Sequence, residues 1–168
     1  MAKHSAGILL YRKTDTGYEV LLVHPGGPFW AKKDLGSWSI PKGEYDEGEE
    51  PLVAAKREFA EEIGSQAPDG DYQTLGEAKQ SSGKIVHAFT LESDFSLEKF
   101  SSNMFQMEWP PKSGQTQEFP ECDKAAWLLL PIAAQKVVKG QVPIIEALAV
   151  QLGVNLVGLD TAPQTSLF

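Results

Sequence analysis

The stretch that decides the fold covers residues 43–65 and reads GEYDEGEEPLVAAKREFAEEIGS. Its second half has the signals of a helix, because Pro51 suits the first turn and Gly64 suits the residue that ends a helix. Glu49 and Glu50 place negative charge at the positive N-terminal end. We therefore predict a helix that begins near Pro51 and ends before Gly64.

Three glutamates of this helix, Glu58, Glu61 and Glu62, fall at positions i, i+3 and i+4 and therefore share one face. Like charges at this spacing destabilise a helix by roughly 0.2–0.5 kcal/mol per pair unless a cation lies between them. Carboxylate oxygens are ligands that Mg²⁺ and Mn²⁺ prefer. A run of glutamates is more often a solvated acidic face, so the spacing alone leaves both interpretations open.

The residues around the glutamates favour the metal site. Gly43 is followed by five residues and Glu49, and then by seven residues and the run Arg57-Glu58-Phe59-Ala60-Glu61-Glu62-Ile63-Gly64. This pattern resembles the Nudix box, Gly-x5-Glu-x7-Arg-Glu-U-x-Glu-Glu-x-Gly-U, in which U is a bulky aliphatic residue. All the fixed residues are present, and the two departures, Phe59 and Ser65, fall at packing positions.

The resemblance implies an α+β fold, a mixed α/β/α sandwich in which a mixed β-sheet lies between helices. The box is then a loop, a helix and a second loop. The resemblance implies Mg²⁺ as the cofactor, with Mn²⁺ as an alternative, held by the carboxylates of Glu58, Glu61 and Glu62 and the backbone carbonyl of Gly43. Arg57 and Glu49 are expected to form an ion pair that holds the loop against the helix.

Members of this family activate a water molecule on the metal for in-line attack at phosphorus. The general base differs between branches of the family. We expect Glu58 to be the base here, with Glu121 or Glu118 as the alternative. Glu121 precedes Trp127 by six residues, which resembles the spacing of an acidic residue in several dinucleoside polyphosphate hydrolases.

The segment Trp38-Ser39-Ile40-Pro41-Lys42-Gly43 resembles the approach to the box in diadenosine tetraphosphate hydrolases. We therefore expect a small nucleotide-like diphosphate substrate, either a dinucleoside polyphosphate or a nucleoside triphosphate. The alternatives are ADP-ribose, diphosphoinositol phosphates, or a non-catalytic Nudix-like module that senses a nucleotide. Candidate substrate contacts are a lysine next to the box, two aromatic side chains for stacking and two further lysines, namely Lys42, Trp30, Trp109, Lys32 and Lys33.

Composition limits the possible partners of the 168-residue chain. Its net charge of -8 argues against general binding to a nucleic acid polymer, which requires a basic face. Its apolar stretches are short or interrupted, so neither a membrane span nor a signal peptide is expected, and we expect a cytoplasmic protein. The single cysteine, Cys122, is expected to be a structural thiol.

Outside the box, the sequence predicts one domain over residues 1–160 and a loose tail over residues 161–168. Two β-prone runs, Ala6–Tyr11 and Tyr18–His24, are separated by a turn-rich segment and predict a β-hairpin near the start. Residues 92–117 are expected to form a long connection. The remaining predicted elements are strands at Ile85–Leu91 and Ala126–Leu130 and helices at Ala133–Lys139 and Pro143–Leu152.

Overall fold

The computed structural model describes residues 3–156, so the expected tail at residues 161–168 and the domain end at residue 160 lie outside the described residues. Eight strands and three helices follow one another along the described chain, with a short 3-10 turn at Lys139–Gln141 before the last helix. The elements are β1 (His4–Thr14), β2 (Gly17–Pro25), β3 (Lys42–Glu44), α1 (Pro51–Ile63), β4 (Gln73–Lys79), β5 (Ile85–Glu92), β6 (Met104–Glu108), β7 (Thr116–Pro120), β8 (Cys122–Leu129), α2 (Leu130–Lys136) and α3 (Val142–Leu152).

The main sheet has the strand order β4-β5-β1-β2-β8, and β3 pairs with β1 outside this path. Strands β1 and β5 are parallel, whereas β1 with β2, β1 with β3, β2 with β8, and β4 with β5 are antiparallel. The predicted N-terminal hairpin and the mixed sheet are therefore confirmed. Strands β6 and β7 form a separate two-stranded hairpin that was not predicted.

The two faces of the sheet bury two different apolar clusters, because successive side chains of a strand point to opposite faces. Ile8 and Leu10 of β1 pack with Phe59 of α1, whereas Leu9 packs on the other side with Leu148 of α3. Helix α1 therefore covers one face, and α2 and α3 cover the other. This arrangement confirms the predicted α/β/α sandwich.

Several element boundaries differ from the sequence prediction. Strand β4 was missed because it lies at the edge of the sheet and buries only Ala78, which leaves no alternating pattern in the sequence. Residues 92–117 are not a plain connection, since they contain β6 and the start of β7. Helix α2 begins earlier than predicted, at Leu130, because Pro131 fits the first turn of a helix and not its interior.

Helix α1 matches its prediction at both ends. Pro51 occupies its first turn, and Gly64 ends it in the left-handed conformation with φ 88°. The Gly64 N–H donates to the carbonyl of Ala60, and a β-carbon at Gly64 would overlap the backbone carbonyl of Ser101. Within the described residues, no helix is long and apolar enough to cross a membrane.

Candidate active site

Four glutamates form a carboxylate cluster, which consists of Glu58, Glu61 and Glu62 of α1 and Glu121 just before β8. Burial raises the pKa of Glu58, and the charge of Glu61 raises it further. The pKa of Glu121 is also raised, first by burial and then by the charge of Glu61. Glu61 therefore lies within electrostatic range of carboxylates on two different elements, and the cluster is a region of concentrated negative charge.

Glu62 is the most strongly perturbed member of the carboxylate cluster. Burial, followed by the charge of Glu58, raises its pKa to about 8. The positive charge of Lys42 and a hydrogen bond from the Lys42 backbone act in the opposite direction. The thiol of Cys122 contacts this carboxylate and has its own pKa raised, mainly by burial. Cys122 is buried and free, which agrees with the structural role expected from the sequence.

The box loop is held against α1 by the contacts of Arg57. Its guanidinium forms an ion pair with Glu49 and lies 3.4 Å from the Glu58 carboxylate. It also donates to the backbone carbonyl of Glu44 at 3.3 Å. A β-carbon at Gly43 would overlap the Glu58 carboxylate, so only glycine allows this carboxylate to lie directly against the loop backbone.

Glu121 reaches the cluster because the chain around it is hydrogen-bonded to the end of α1. The Asn103 N–H donates to the Glu61 carbonyl at 2.9 Å, and the Glu121 N–H donates to the Asn103 carbonyl at 2.7 Å. The Glu121 carbonyl accepts from Gly26 at 2.9 Å. Backbone contacts from the end of α1 and from Gly26, the residue after β2, therefore position the one cluster member that lies outside the box.

The chemistry of these donors fits a hard divalent cation. Carboxylate oxygens and a backbone carbonyl are the ligands that such ions take, and a cation would relieve the repulsion within the carboxylate cluster. Within residues 3–156, no three acidic, histidine or cysteine side chains converge closely enough to hold one ion as they stand.

A cleft cavity of about 250 Å³ opens beside the carboxylate cluster. It is lined by polar side chains from both halves of the chain, and apolar contacts come from Val23, Pro25 and Val138. The polar and aromatic lining residues are Trp30, Ser37, Ser39, Lys42, Glu62, Gln80, Glu121, Cys122 and Gln141. The cavity therefore joins two expected substrate contacts, Trp30 and Lys42, to two members of the carboxylate cluster.

The other expected substrate contacts lie outside this lining. The Lys33 ammonium lies 5.1 Å from the Trp30 ring centroid, so it is near the mouth, whereas Lys32 is an exposed residue of the same loop. Trp109 packs edge-on against Phe29, with ring centroids 5.5 Å apart.

The alternative base Glu118 lies on the exposed β6–β7 hairpin, in register with Gln106. In the described part of the chain, nothing joins it to the carboxylate cluster. The structure therefore separates Glu118 from Glu121, which the sequence left as equal alternatives.

Several cleft residues were missed by sequence reasoning. Gln141 is fully buried, and its amide accepts from the Ile40 N–H at 3.0 Å and donates to the Ser39 hydroxyl at 2.9 Å. Gln80 also lines the cleft, and its amide oxygen is buried without a hydrogen-bond partner among residues 3–156. A fully buried glutamine is unusual, but its sequence position carries no signal of this burial.

A family profile and a curated relative both match this chain. The profile of the NUDIX domain matches residues 1–148. A curated relative, an RNA pyrophosphohydrolase from Caulobacter vibrioides, is 44% identical over 50 residues, which covers 27% of this chain and 29% of that protein. The alignment therefore spans less than a third of the curated relative.

Two solved structures show the same fold at low sequence identity. The NUDIX domain of Shewanella oneidensis NrtR, complexed with ADP ribose, is 17% identical with a TM-score of 0.60, covering 90% of this chain and 89% of that one. A C. elegans Ap4A hydrolase in a binary complex is 22% identical with a TM-score of 0.55, covering 89% of this chain and 98% of that one.

Proposed function

The chain belongs to the Nudix hydrolase family, and from this premise we propose that it hydrolyses a phosphoanhydride bond of a nucleotide-like substrate with the help of Mg²⁺. The observation that carries the proposal is the carboxylate cluster of Glu58, Glu61, Glu62 and Glu121, of which Glu62 and Glu121 line the cleft cavity. Mutually repelling carboxylates are costly to a fold, and a bound divalent cation offsets that cost.

We assign the cation ligands to Glu58, Glu61 and Glu62, together with the Gly43 carbonyl. When bound, the ion supplies a lowered pKa for a coordinated water and charge compensation for the diphosphate. The contact between Gly43 and the Glu58 carboxylate supports this assignment, since it brings a side-chain oxygen against the loop backbone. The ion pair of Arg57 with Glu49 acts as support, because it fixes the loop that carries Gly43.

The chain's own residues then position the substrate and remove the proton. Lys42 lines the cleft next to Glu62 and meets a phosphate oxygen as a point charge. Glu58 accepts the proton of the attacking water, because its raised pKa brings the carboxyl group closer to neutral pH. Glu121 remains the second candidate for this role, since it lines the cleft and lies within electrostatic range of Glu61.

For the substrate, we propose a dinucleoside polyphosphate or a nucleoside triphosphate. Trp30 at the cleft supports a ring-bearing substrate, because an aromatic face can stack on a base. The similarity to a C. elegans Ap4A hydrolase agrees with this class, and the complex of a NUDIX domain with ADP ribose keeps ADP-ribose as an alternative. The similarity to an RNA pyrophosphohydrolase adds the triphosphorylated 5′ end of RNA as a compound to test. The net charge of -8 argues against an RNA substrate.

The test is a substrate panel assayed with Mg²⁺ and with excess chelator, in which the products are identified by chromatography. The panel contains a nucleoside triphosphate, diadenosine tetraphosphate, ADP-ribose, a diphosphoinositol phosphate, a 5′-triphosphorylated RNA oligonucleotide and a nucleoside monophosphate. We expect Mg²⁺-dependent cleavage of a polyphosphate and an inert monophosphate. Tight binding of a nucleotide without cleavage would instead favour the non-catalytic sensing module.

A further inference from the structure

A second cavity, which we call the basic cavity, lies where Glu44 of β3 meets the residues that connect β4 with β5. Its volume is about 680 Å³, and its polar lining consists of Lys3, Glu44, Lys79, Ser82 and Lys84, together with Gly83. Three lysines therefore surround one glutamate in a chain whose net charge is -8. A local excess of positive charge in an acidic protein attracts anions to that place.

The sheet register explains why these lysines meet. Lys79 at the end of β4 pairs with Ile85 of β5, and Ile85 pairs with His4 of β1. Glu44 of β3 pairs with Ser5 of β1. Residues that are far apart in sequence are therefore brought to one end of the sheet, beside the loop that begins at Gly43.

The basic cavity and the cleft are lined by neighbouring residues at two places in the chain. Lys79 lines the basic cavity, while the next residue, Gln80, lines the cleft. Lys42 of β3 lines the cleft, while Glu44, two residues further along the same strand, lines the basic cavity. The phosphate position proposed at Lys42 therefore lies two residues along β3 from Glu44, which pairs with Lys3 and Lys84.

The lysines of the basic cavity are only weakly neutralised. The Lys84 ammonium lies 3.1 Å from one Glu44 oxygen, and the Lys3 ammonium lies 3.9 Å from the other. One carboxylate is thus shared between two cations. Lys79 has no ion pair among the described residues, so it is free to meet an incoming anion.

We propose that the basic cavity binds the phosphate groups of the substrate that lie beyond the cleaved linkage, so that the enzyme selects compounds with three or more phosphates in series over those with two. This inference rests on the proposed hydrolysis of a phosphoanhydride bond. The Glu44 carboxylate competes with substrate phosphates for Lys3 and Lys84, so it lowers the affinity of the basic cavity for phosphate. The basic cavity should therefore increase the binding affinity for diadenosine tetraphosphate more than that for ADP-ribose.

The test compares KM and kcat for diadenosine tetraphosphate and ADP-ribose in four variants of the full chain. Lys79→Gln and Lys84→Gln should each raise KM for the tetraphosphate by roughly fivefold or more, with kcat little changed and KM for ADP-ribose nearly constant. Glu44→Gln should lower KM for the tetraphosphate, because it frees two lysines. Lys13→Gln, at the opposite end of β1, is the matched control and should change neither value.

Lys84→Gln and Glu44→Gln are expected to change KM in opposite directions, and this difference distinguishes substrate binding from a structural role. If the ion pairs of Glu44 only stabilise the fold, Glu44→Gln and Lys84→Gln should impair the enzyme alike, and Lys79→Gln should have no effect. Either that pattern, or equal changes of KM for both substrates, would overturn the inference.

A binding measurement keeps the inference separate from the proposed activity. Calorimetric titration with inorganic tripolyphosphate should show weaker binding to Lys79→Gln and Lys84→Gln and tighter binding to Glu44→Gln, whether or not any substrate is cleaved. Unchanged tripolyphosphate affinity in all three variants would reject the basic cavity as a phosphate site, even if hydrolysis were demonstrated. Failure of the wild type to cleave any compound, with these affinity changes present, would reject only the proposed hydrolysis.

Discussion

At the scale of single residues, Glu61 has a distinctive place in the carboxylate cluster. Its charge acts on Glu58 within the helix and on Glu121, which lies just before β8. We predict that Glu61→Gln lowers kcat by about 10² to 10⁴, because it removes a cation-binding charge without changing shape. Folding should survive, since the substitution relieves repulsion. Glu118→Gln on the exposed hairpin is the control, and equal activity of the two variants at saturating Mg²⁺ would contradict the assignment.

The identity of the general base is a separate prediction at the same scale. Glu58→Gln should lose a factor of about 10² or more in kcat and flatten the acidic limb of the pH–rate profile. Glu121→Gln should keep activity within about tenfold, because we assign that carboxylate to the surroundings of the site. The reverse ranking, with metal binding intact in both variants, would make Glu121 the base.

The residues of the site differ in how well the sequence could reveal them. Glu58, Glu61 and Glu62 were predicted as site residues because their surroundings resemble the Nudix box, whereas helical spacing alone also allows a solvated acidic face. Gln80 and Gln141 were not, because they come from a strand edge and from the 3-10 turn and meet the cleft only through tertiary packing. Local periodicity carries no information about such contacts.

At the scale of elements, two helices end in glycines whose surroundings differ in how closely the chain packs. Gly64 after α1 and Gly153 after α3 both adopt positive φ, at 88° and 73°. A β-carbon at Gly64 would overlap the Ser101 backbone, whereas nothing lies within 4 Å of one at Gly153. We predict that Gly153→Ala costs about 1 kcal/mol of unfolding free energy and that Gly64→Ala costs clearly more. Denaturant unfolding measures both, and equal losses would contradict the close contact.

The elements that were predicted well are those with a continuous buried face. Helix α1 repeats apolar residues at the helical period, and strands β1 and β2 are continuous apolar runs, so their positions follow from the sequence. The β6–β7 hairpin was missed because its strands contribute no fully buried side chain. Its contacts with the rest of the protein, such as Phe29 against Trp109, join side chains that are distant in sequence.

At the scale of the whole molecule, the carboxylate cluster makes stability depend on pH and on metal together. Glu62 has a folded pKa of about 8 against an ordinary value of 4.5, so the metal-free folded state keeps a proton that the unfolded chain loses in this window. The unfolding free energy should therefore fall as pH rises from about 4.5 to about 8. The raised pKa values of Glu58 and Glu121 act in the same direction.

Mg²⁺ should reverse this trend, because it binds the ionised carboxylates of the folded state. We predict that the rise in Tm caused by Mg²⁺ grows between pH 5 and pH 8, and that Glu62→Gln makes the metal-free Tm less dependent on pH. Thermal unfolding in chelator and in Mg²⁺ at several pH values measures both effects. A metal-free Tm that rises with pH through this window would contradict the arrangement of the cluster.

The most direct measurement is the turnover of diadenosine tetraphosphate by the wild type and by Glu61→Gln, with products followed by chromatography in Mg²⁺ and in excess chelator. The account predicts cleavage at a phosphoanhydride bond by the wild type with Mg²⁺, no cleavage in chelator, and a loss of about 10² or more in Glu61→Gln. Full turnover in chelator, or undiminished turnover by Glu61→Gln, would contradict the claim that the carboxylate cluster is a metal-dependent catalytic site.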